Sequence, residues 1–125
     1  MKIDNQTFKN KIYKKFKIKN IINYYGMIEQ TGSIFLECSE CNCFFPSIFS
    51  DILFRDENLK INSNKPGLVQ LISLLPTSYH GHNILTEDVG QFVFKKCRHC
   101  NPKNLKQFQI LGRVKNSEIR GCSNI

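Results

Sequence analysis

Apolar residues recur every four positions near the start of the chain, at Phe8, Ile12 and Phe16, with Tyr13 beside them and lysines on the other faces. That spacing lays one apolar stripe along an α-helix and predicts a short helix over residues 5–17, capped by Asn5 or Thr7. Beyond it the period shortens. Residues 21–25 are β-prone and end at Gly26, and residues 33–38, 51–56, 68–75, 91–96 and 107–114 read as strands. The stretch 68–75 is almost continuously apolar, as a strand buried on both faces would be. NSNKPG (62–67) and NPKN (101–104) carry turn chemistry. The pattern predicts a mostly β member of the α+β class, with one N-terminal helix and a twisted antiparallel sheet or partial barrel. It shows no repeat, low-complexity linker or second domain.

A chain of 125 residues fits one domain and can hide at most about two-thirds of its unfolded surface. With no tryptophan, its ten phenylalanines must supply much of the packing. No apolar run approaches the roughly 18 residues of a membrane span, and the basic N-terminus lacks the apolar core of a secretory signal. The expectation is a cytoplasmic protein whose six cysteines are reduced.

The net charge of +8 invites a nucleic-acid reading, but its location weakens that reading. Lys2, Lys9, Lys11, Lys14, Lys15, Lys17 and Lys19 against Asp4 give the first 19 residues +6, leaving +2 for the rest. Between residues 20 and 94 the basic residues are Arg55, Lys60 and Lys65. The lysine run reads as the solvated face of a helix, and no specific nucleic-acid partner is expected.

Two cysteine pairs change the picture. Cys38-x2-Cys41-x-Cys43 and Cys97-x2-Cys100 are knuckles that can bring four thiolates to one tetrahedral zinc. The 55 residues between them are too many for a zinc ribbon and suggest a metal stapling two hairpins of one domain. The fourth ligand is open between Cys41 and Cys43, and His99 is a spare donor.

Three further segments carry polar chemistry. In YGMIEQTGS (25–33), Tyr25 offers a flat ring for a purine, Gly26 a close backbone approach, and Glu29 a carboxylate for a hard cation on a polyphosphate. In LTEDVG (85–90), Asp88 lies just before a strand and can accept from two ribose hydroxyls. In LGRVKNSEIRGCSNI (111–125), Arg113 and Arg120 can pair with anions, and Cys122 sits among Arg113, Lys115 and Arg120, which favour its thiolate. Taken singly, each has an ordinary reading as a strand exit, a turn-capping carboxylate or an unreactive thiol on a frayed tail.

In this order the segments resemble the adenylate-forming superfamily, and most closely the LuxE-type acyl-protein synthetases; the phenylacetate–CoA ligases are more distant. YGMIE resembles the superfamily's aromatic-Gly-x-x-Glu motif, TEDVG its ribose-binding segment, and GRVKNSEIRG its hinge. SEIRGCS (117–123) is the most specific stretch, and the likeness runs from about residue 8 to the end. The resemblance implies that Tyr25 stacks near adenine, Glu29 sits by Mg2+ and the phosphates, Asp88 binds ribose, Arg113 contacts the nucleotide at the hinge, and Cys122 accepts the acyl group. It implies zinc ligands at Cys38, Cys97 and Cys100, with Cys41 or Cys43 where relatives often carry histidine. The Ser/Thr/Gly-rich phosphate loop has no counterpart in these 125 residues, and neither does a C-terminal domain with a catalytic lysine. The expectation is therefore the C-terminal part of such an enzyme. It would be inactive alone and would need an N-terminal adenylation half or partner subunit, ATP, Mg2+ and a fatty or other carboxylic acid, with an acyl-accepting reductase as one possible recipient. The rivals are a zinc-stabilised basic nucleic-acid-binding module and a non-catalytic interaction fragment.

Overall fold

A computed structural model describes residues 4–94, 97–100 and 106–115. The helix α1 spans Asn5–Phe16. Its cap is Asp4, whose extended backbone lets the carboxylate accept from the Thr7 amide at 2.9 Å; Asn5 and Thr7 were expected in that role. Lys17 ends the helix in the left-handed conformation, its amide returning to the Tyr13 carbonyl. The apolar stripe does not enter a core: no α1 residue is buried, and Phe8, Tyr13 and Phe16 are largely exposed.

Two short strands follow, β1 (Tyr24–Tyr25) and β2 (Phe35–Leu36), paired antiparallel around the 3-10 turn Ile28–Gln30. Then β3 (Ser50–Arg55), β4 (Gly67–Ser73), β5 (Asn83–Val93) and β6 (Gln107–Arg113) form a four-stranded antiparallel meander in sequence order. The curled sheet meets the small ribbon through Phe44, which pairs with Glu37 beyond β2 and exchanges both backbone hydrogen bonds with Phe108 of β6 at 2.8 and 3.0 Å. The result is the expected mostly β half-barrel with one helix.

Phe35, Phe44, Ile52, Phe54, Val69, Leu71 and Phe108 form its core. Phe108 is central: it lies edge-on to Phe35 at 5.5 Å and close to Phe44 at 5.6 Å, so phenylalanine does the packing that tryptophan could have done. Buried serines close the seam between ribbon and sheet, Ser50 donating to Ser33 at 3.1 Å and Ser33 to Ser73 at 2.8 Å.

The largest departure from the sequence reading is β5. Residues 91–96 were expected as the strand, with TEDVG as the loop before it, yet β5 starts at Asn83 and carries Thr86, Glu87, Asp88 and Gly90 inside the ladder. Pairing with both β4 and β6 outweighs the low strand propensity of these polar residues. The ladder slips beside Gly90, whose missing side chain leaves room for the Phe54 ring and the Gln109 carbonyl, each 2.7 Å from where a Cβ would stand. Of the β-prone stretch 21–25, Tyr24 and Tyr25 alone pair.

Candidate functional site

Cys38 and Cys41 lie in the tight reversal after β2, closed by Cys38 N–H to the Cys43 carbonyl at 2.9 Å and by Asn42 N–H to the Cys38 carbonyl at 2.9 Å. Asn42 supplies the left-handed residue of this turn at φ 54°, a conformation asparagine tolerates. Cys97 and Cys100 come from the turn after β5. The sulfurs of Cys38, Cys41, Cys97 and Cys100 all lie within 4.8 Å of one another, close enough to share one metal ion. Cys38 and Cys97 are 3.9 Å apart and Cys41 and Cys100 are 3.5 Å apart. A tetrahedron of sulfurs each about 2.3 Å from a central ion has edges of about 3.8 Å, so these separations fit. Of Cys41 and Cys43, it is Cys41 that lies in this cluster; Cys43 is buried outside it, facing the Cys41 carbonyl at 3.5 Å and the Gln109 amide at 3.7 Å. His99 stays a neighbour, its Nδ1 3.6 Å from the Cys38 sulfur.

The thiols are unevenly matched without a cation. At Cys38, burial is outweighed by the backbone amides of Cys41 and Glu40 and by the His99 and Cys100 side chains, which bring its pKa down to about 6. Burial raises Cys41, and it raises Cys100 to about 11. Four thiolates this close need a central cation to ionise together. A buried Gln107 donates to the Cys100 sulfur at 2.9 Å, the outer support a ligating thiolate needs.

Next to this knuckle sits a residue the sequence reading passed over. Glu37 is buried to 1% side-chain exposure and accepts from Lys9 Nζ at 2.5 Å, Asn5 Nδ2 at 2.5 Å and the Asn23 amide at 3.1 Å. Lys9 also donates to Asn42 Oδ1 at 3.1 Å. The helix is thus tied to the knuckle by polar contacts. Removing one partner of a buried pair leaves the other charge uncompensated. Lys9→Ala is therefore expected to destabilise the protein by about 2–3 kcal/mol and to accelerate hydrogen exchange across α1, whereas Lys11→Ala leaves both unchanged. Equal behaviour of the two variants in exchange mass spectrometry would contradict this role for Lys9.

Three of the four residues expected at the nucleotide meet where β1, β5 and β6 come together. Asp88 on β5 is directly opposite Arg113 on β6. Tyr25 OH donates to Asp88 Oδ2 at 2.7 Å, and Arg113 Nε lies 3.4 Å from Asp88 Oδ1. Arg113 also donates to Glu87 at 3.0 Å. Burial first, then the Asp88 hydrogen bond and charge, push the Tyr25 phenol far above its usual range, so it remains a donor. An ionised carboxylate has about four acceptor positions, so Asp88 can hold Tyr25 and still accept from a ligand's hydroxyl groups. Tyr25 also borders an open cleft of about 570 Å3 between the start of α1 and β6. Glu29 is exposed in the 3-10 turn, and no hydrogen bond or ion pair links it to the three among the described residues. The NPKN turn, Arg120 and Cys122 lie outside the described residues. No helix among the described residues is long and apolar enough to cross a membrane.

A family model described as acyl-protein synthetase, LuxE, matches residues 1–125, the whole chain. No curated protein matches, and no solved structure matches.

Proposed function

Because the chain belongs to the LuxE family of acyl-protein synthetases, we propose that these 125 residues are the C-terminal, acyl-transfer part of such an enzyme, which acts together with an adenylation half. The observation that carries the reading is the meeting of Tyr25, Asp88 and Arg113, which lie 63 and 88 positions apart from Tyr25 in sequence yet share one carboxylate. In the complete reaction a carboxylate oxygen of the acid attacks the α-phosphorus of ATP, and pyrophosphate leaves. The Cys122 thiolate then attacks the carbonyl carbon of the acyl-AMP. The carbon–oxygen bond to AMP breaks, AMP departs with the electron pair, and a thioester remains on the protein. Asp88 accepts from the ribose hydroxyls, Arg113 fixes that carboxylate and meets the nucleotide, and Tyr25 sets the carboxylate's orientation while its ring borders the adenine. Glu29 is the carboxylate that would hold Mg2+ on the phosphates. A fatty acid is the substrate class, with a reductase as one recipient of the acyl group.

The metal in this reading is zinc, held by Cys38, Cys41, Cys97 and Cys100, and its role is structural: four protein ligands leave no open position for substrate.

Adenylation needs phosphates positioned and their charge offset, and the chain has no phosphate loop to do either. The isolated chain is expected to show no acid-dependent ATP–pyrophosphate exchange, and a family member's phosphate-loop half added in trans is expected to restore acyl transfer onto it. Exchange catalysed by the chain alone would overturn this division of labour.

A further inference from the structure

Gln30 ends the 3-10 turn Ile28–Gln30 and is fully buried, while Ile28 and Glu29 beside it are exposed. A buried glutamine is ordinarily hydrogen-bonded through both ends of its amide. Here Nε2 donates to the Gly81 carbonyl at 2.8 Å, across 51 positions of sequence, and Oε1 is buried with no donor among the described residues. The one bond gained is offset by the acceptor left dry. An apolar side chain of the same length would fill the space without that cost. Net stability therefore does not account for an amide at this position, whereas a fixed tie to Gly81 does.

The far end of the tie is itself held. The buried Gly81 returns its N–H to the Tyr79 carbonyl at 2.9 Å, and the His82 carbonyl accepts from the Ser73 amide at the end of β4 at 2.9 Å. Residues 74–82, between β4 and β5, thus form a loop anchored to the sheet. Two flanking contacts seat the turn on the same loop. Thr31 Oγ1 lies 3.4 Å from the Tyr79 hydroxyl, and Gly32, at φ 93°, passes Leu75, whose Cδ1 is 3.2 Å from where a Cβ would stand. The turn is closed by Gln30 N–H to the Met27 carbonyl and Ser33 N–H to the Gln30 carbonyl, each at 3.2 Å.

We infer that Gln30 is a positioning residue for Glu29: its amide locks the turn to the β4–β5 loop at Gly81 and so sets where the Glu29 carboxylate stands. The inference rests on the functional reading above, in which that carboxylate takes Mg2+. No side-chain hydrogen bond or ion pair holds Glu29 among the described residues, so its place is set by the backbone that carries it, and the next residue in the chain anchors that backbone. Mg2+ demands near-ideal octahedral geometry at about 2.1 Å, and a ligand reaches that only from a support locked by packing and hydrogen bonds.

The test is acid-dependent ATP–pyrophosphate exchange by the full 125-residue chain combined with the phosphate-loop half of a LuxE-family synthetase, titrated with Mg2+. Gln30→Met keeps the length and removes the donor. It is expected to melt within a few degrees of the parent and to raise the half-saturating Mg2+ concentration at least fivefold, with the maximal rate within threefold of the parent. Glu29→Gln is expected to raise it at least as much, and the double variant no further than Glu29→Gln alone. A Glu29→Gln variant with the parent's Mg2+ dependence overturns the assignment of Glu29 to the metal, and this inference with it. A shift in Glu29→Gln without one in Gln30→Met overturns the positioning role alone, as do effects that multiply in the double variant. Hydrogen exchange of the isolated chain checks the tie by itself: Gln30→Met is expected to accelerate exchange in residues 28–33 and 76–82 and to leave α1 unchanged. Exchange like the parent's in both segments overturns the inference.

Discussion

Replacing Cys122 by serine is expected to abolish hydroxylamine-sensitive acylation of the chain in a reconstituted enzyme, while acid-dependent ATP–pyrophosphate exchange continues unchanged. A hydroxyl at neutral pH lacks the thiolate's nucleophilicity unless a base activates it. Five of the six cysteines lie in the two knuckles. Four of those five sulfurs crowd one cluster, where a metal would occupy them, and Cys43 is buried with its thiol pKa raised, by burial first. Cys122 follows Gly121 and has Arg113, Lys115 and Arg120 within nine residues, the cationic setting that favours a reactive thiolate. Radiolabelled fatty acid, gel separation and hydroxylamine treatment read the result. A hydroxylamine-sensitive label surviving in Cys122→Ser would move the acyl group to another residue.

Removing the metal is expected to have the largest effect on stability. The cluster joins the turn after β2 to the turn after β5, and among the described residues no disulfide or long helix holds those two regions together. Structural zinc in small domains contributes about 10–16 kcal/mol of apparent binding free energy, which becomes folding free energy when the apo site is not preformed. The protein as purified without chelator is expected to hold about one zinc per chain. Chelation is expected to lower the melting midpoint by at least about 10 °C, the equivalent of roughly 2–3 kcal/mol in a domain of this size. Cys97→Ser should reproduce this loss, and Cys43→Ser should retain the metal. Acidification acts in the same direction, because protons compete with the ion for the thiolates. Elemental analysis showing no zinc, or melting indifferent to chelator, would remove the metal from the account. Since Lys9 reaches Glu37 and Asn42 beside the knuckle, loss of metal should also loosen α1.

The sequence was legible wherever local pattern and packing agreed. The period of α1, the apolar run of β4 and the two cysteine knuckles all rest on spacing alone, and each is where the spacing put it. It was less legible where long-range pairing decides. The polar TEDVG segment has weak strand propensity, and it takes neighbours on both sides, β4 and β6, to draw it into β5. The role of Lys9 could not be read from a run of lysines, since what sets it apart is the burial of Glu37, 28 positions away. A carboxylate between Leu36 and Cys38 was the available signal: a buried turn seldom carries an acidic residue without a partner. The apolar stripe of α1 gave the helix but not its docking, and the helix is anchored by polar contacts through Asn5 and Lys9. Cys43 could not be separated from Cys41 by spacing, because both are within reach of Cys38 along the chain. The fold decides between them by turning Cys43 toward Gln109 of β6.

Intact-mass analysis of the chain after incubation with chemically prepared fatty acyl-AMP tests the central claim most directly, since it bypasses adenylation. The account predicts a gain of one acyl group on the peptide containing Cys122, released by hydroxylamine and absent from Cys122→Ser. No mass gain, or an acyl group found on Cys38, Cys41, Cys43, Cys97 or Cys100, would contradict it.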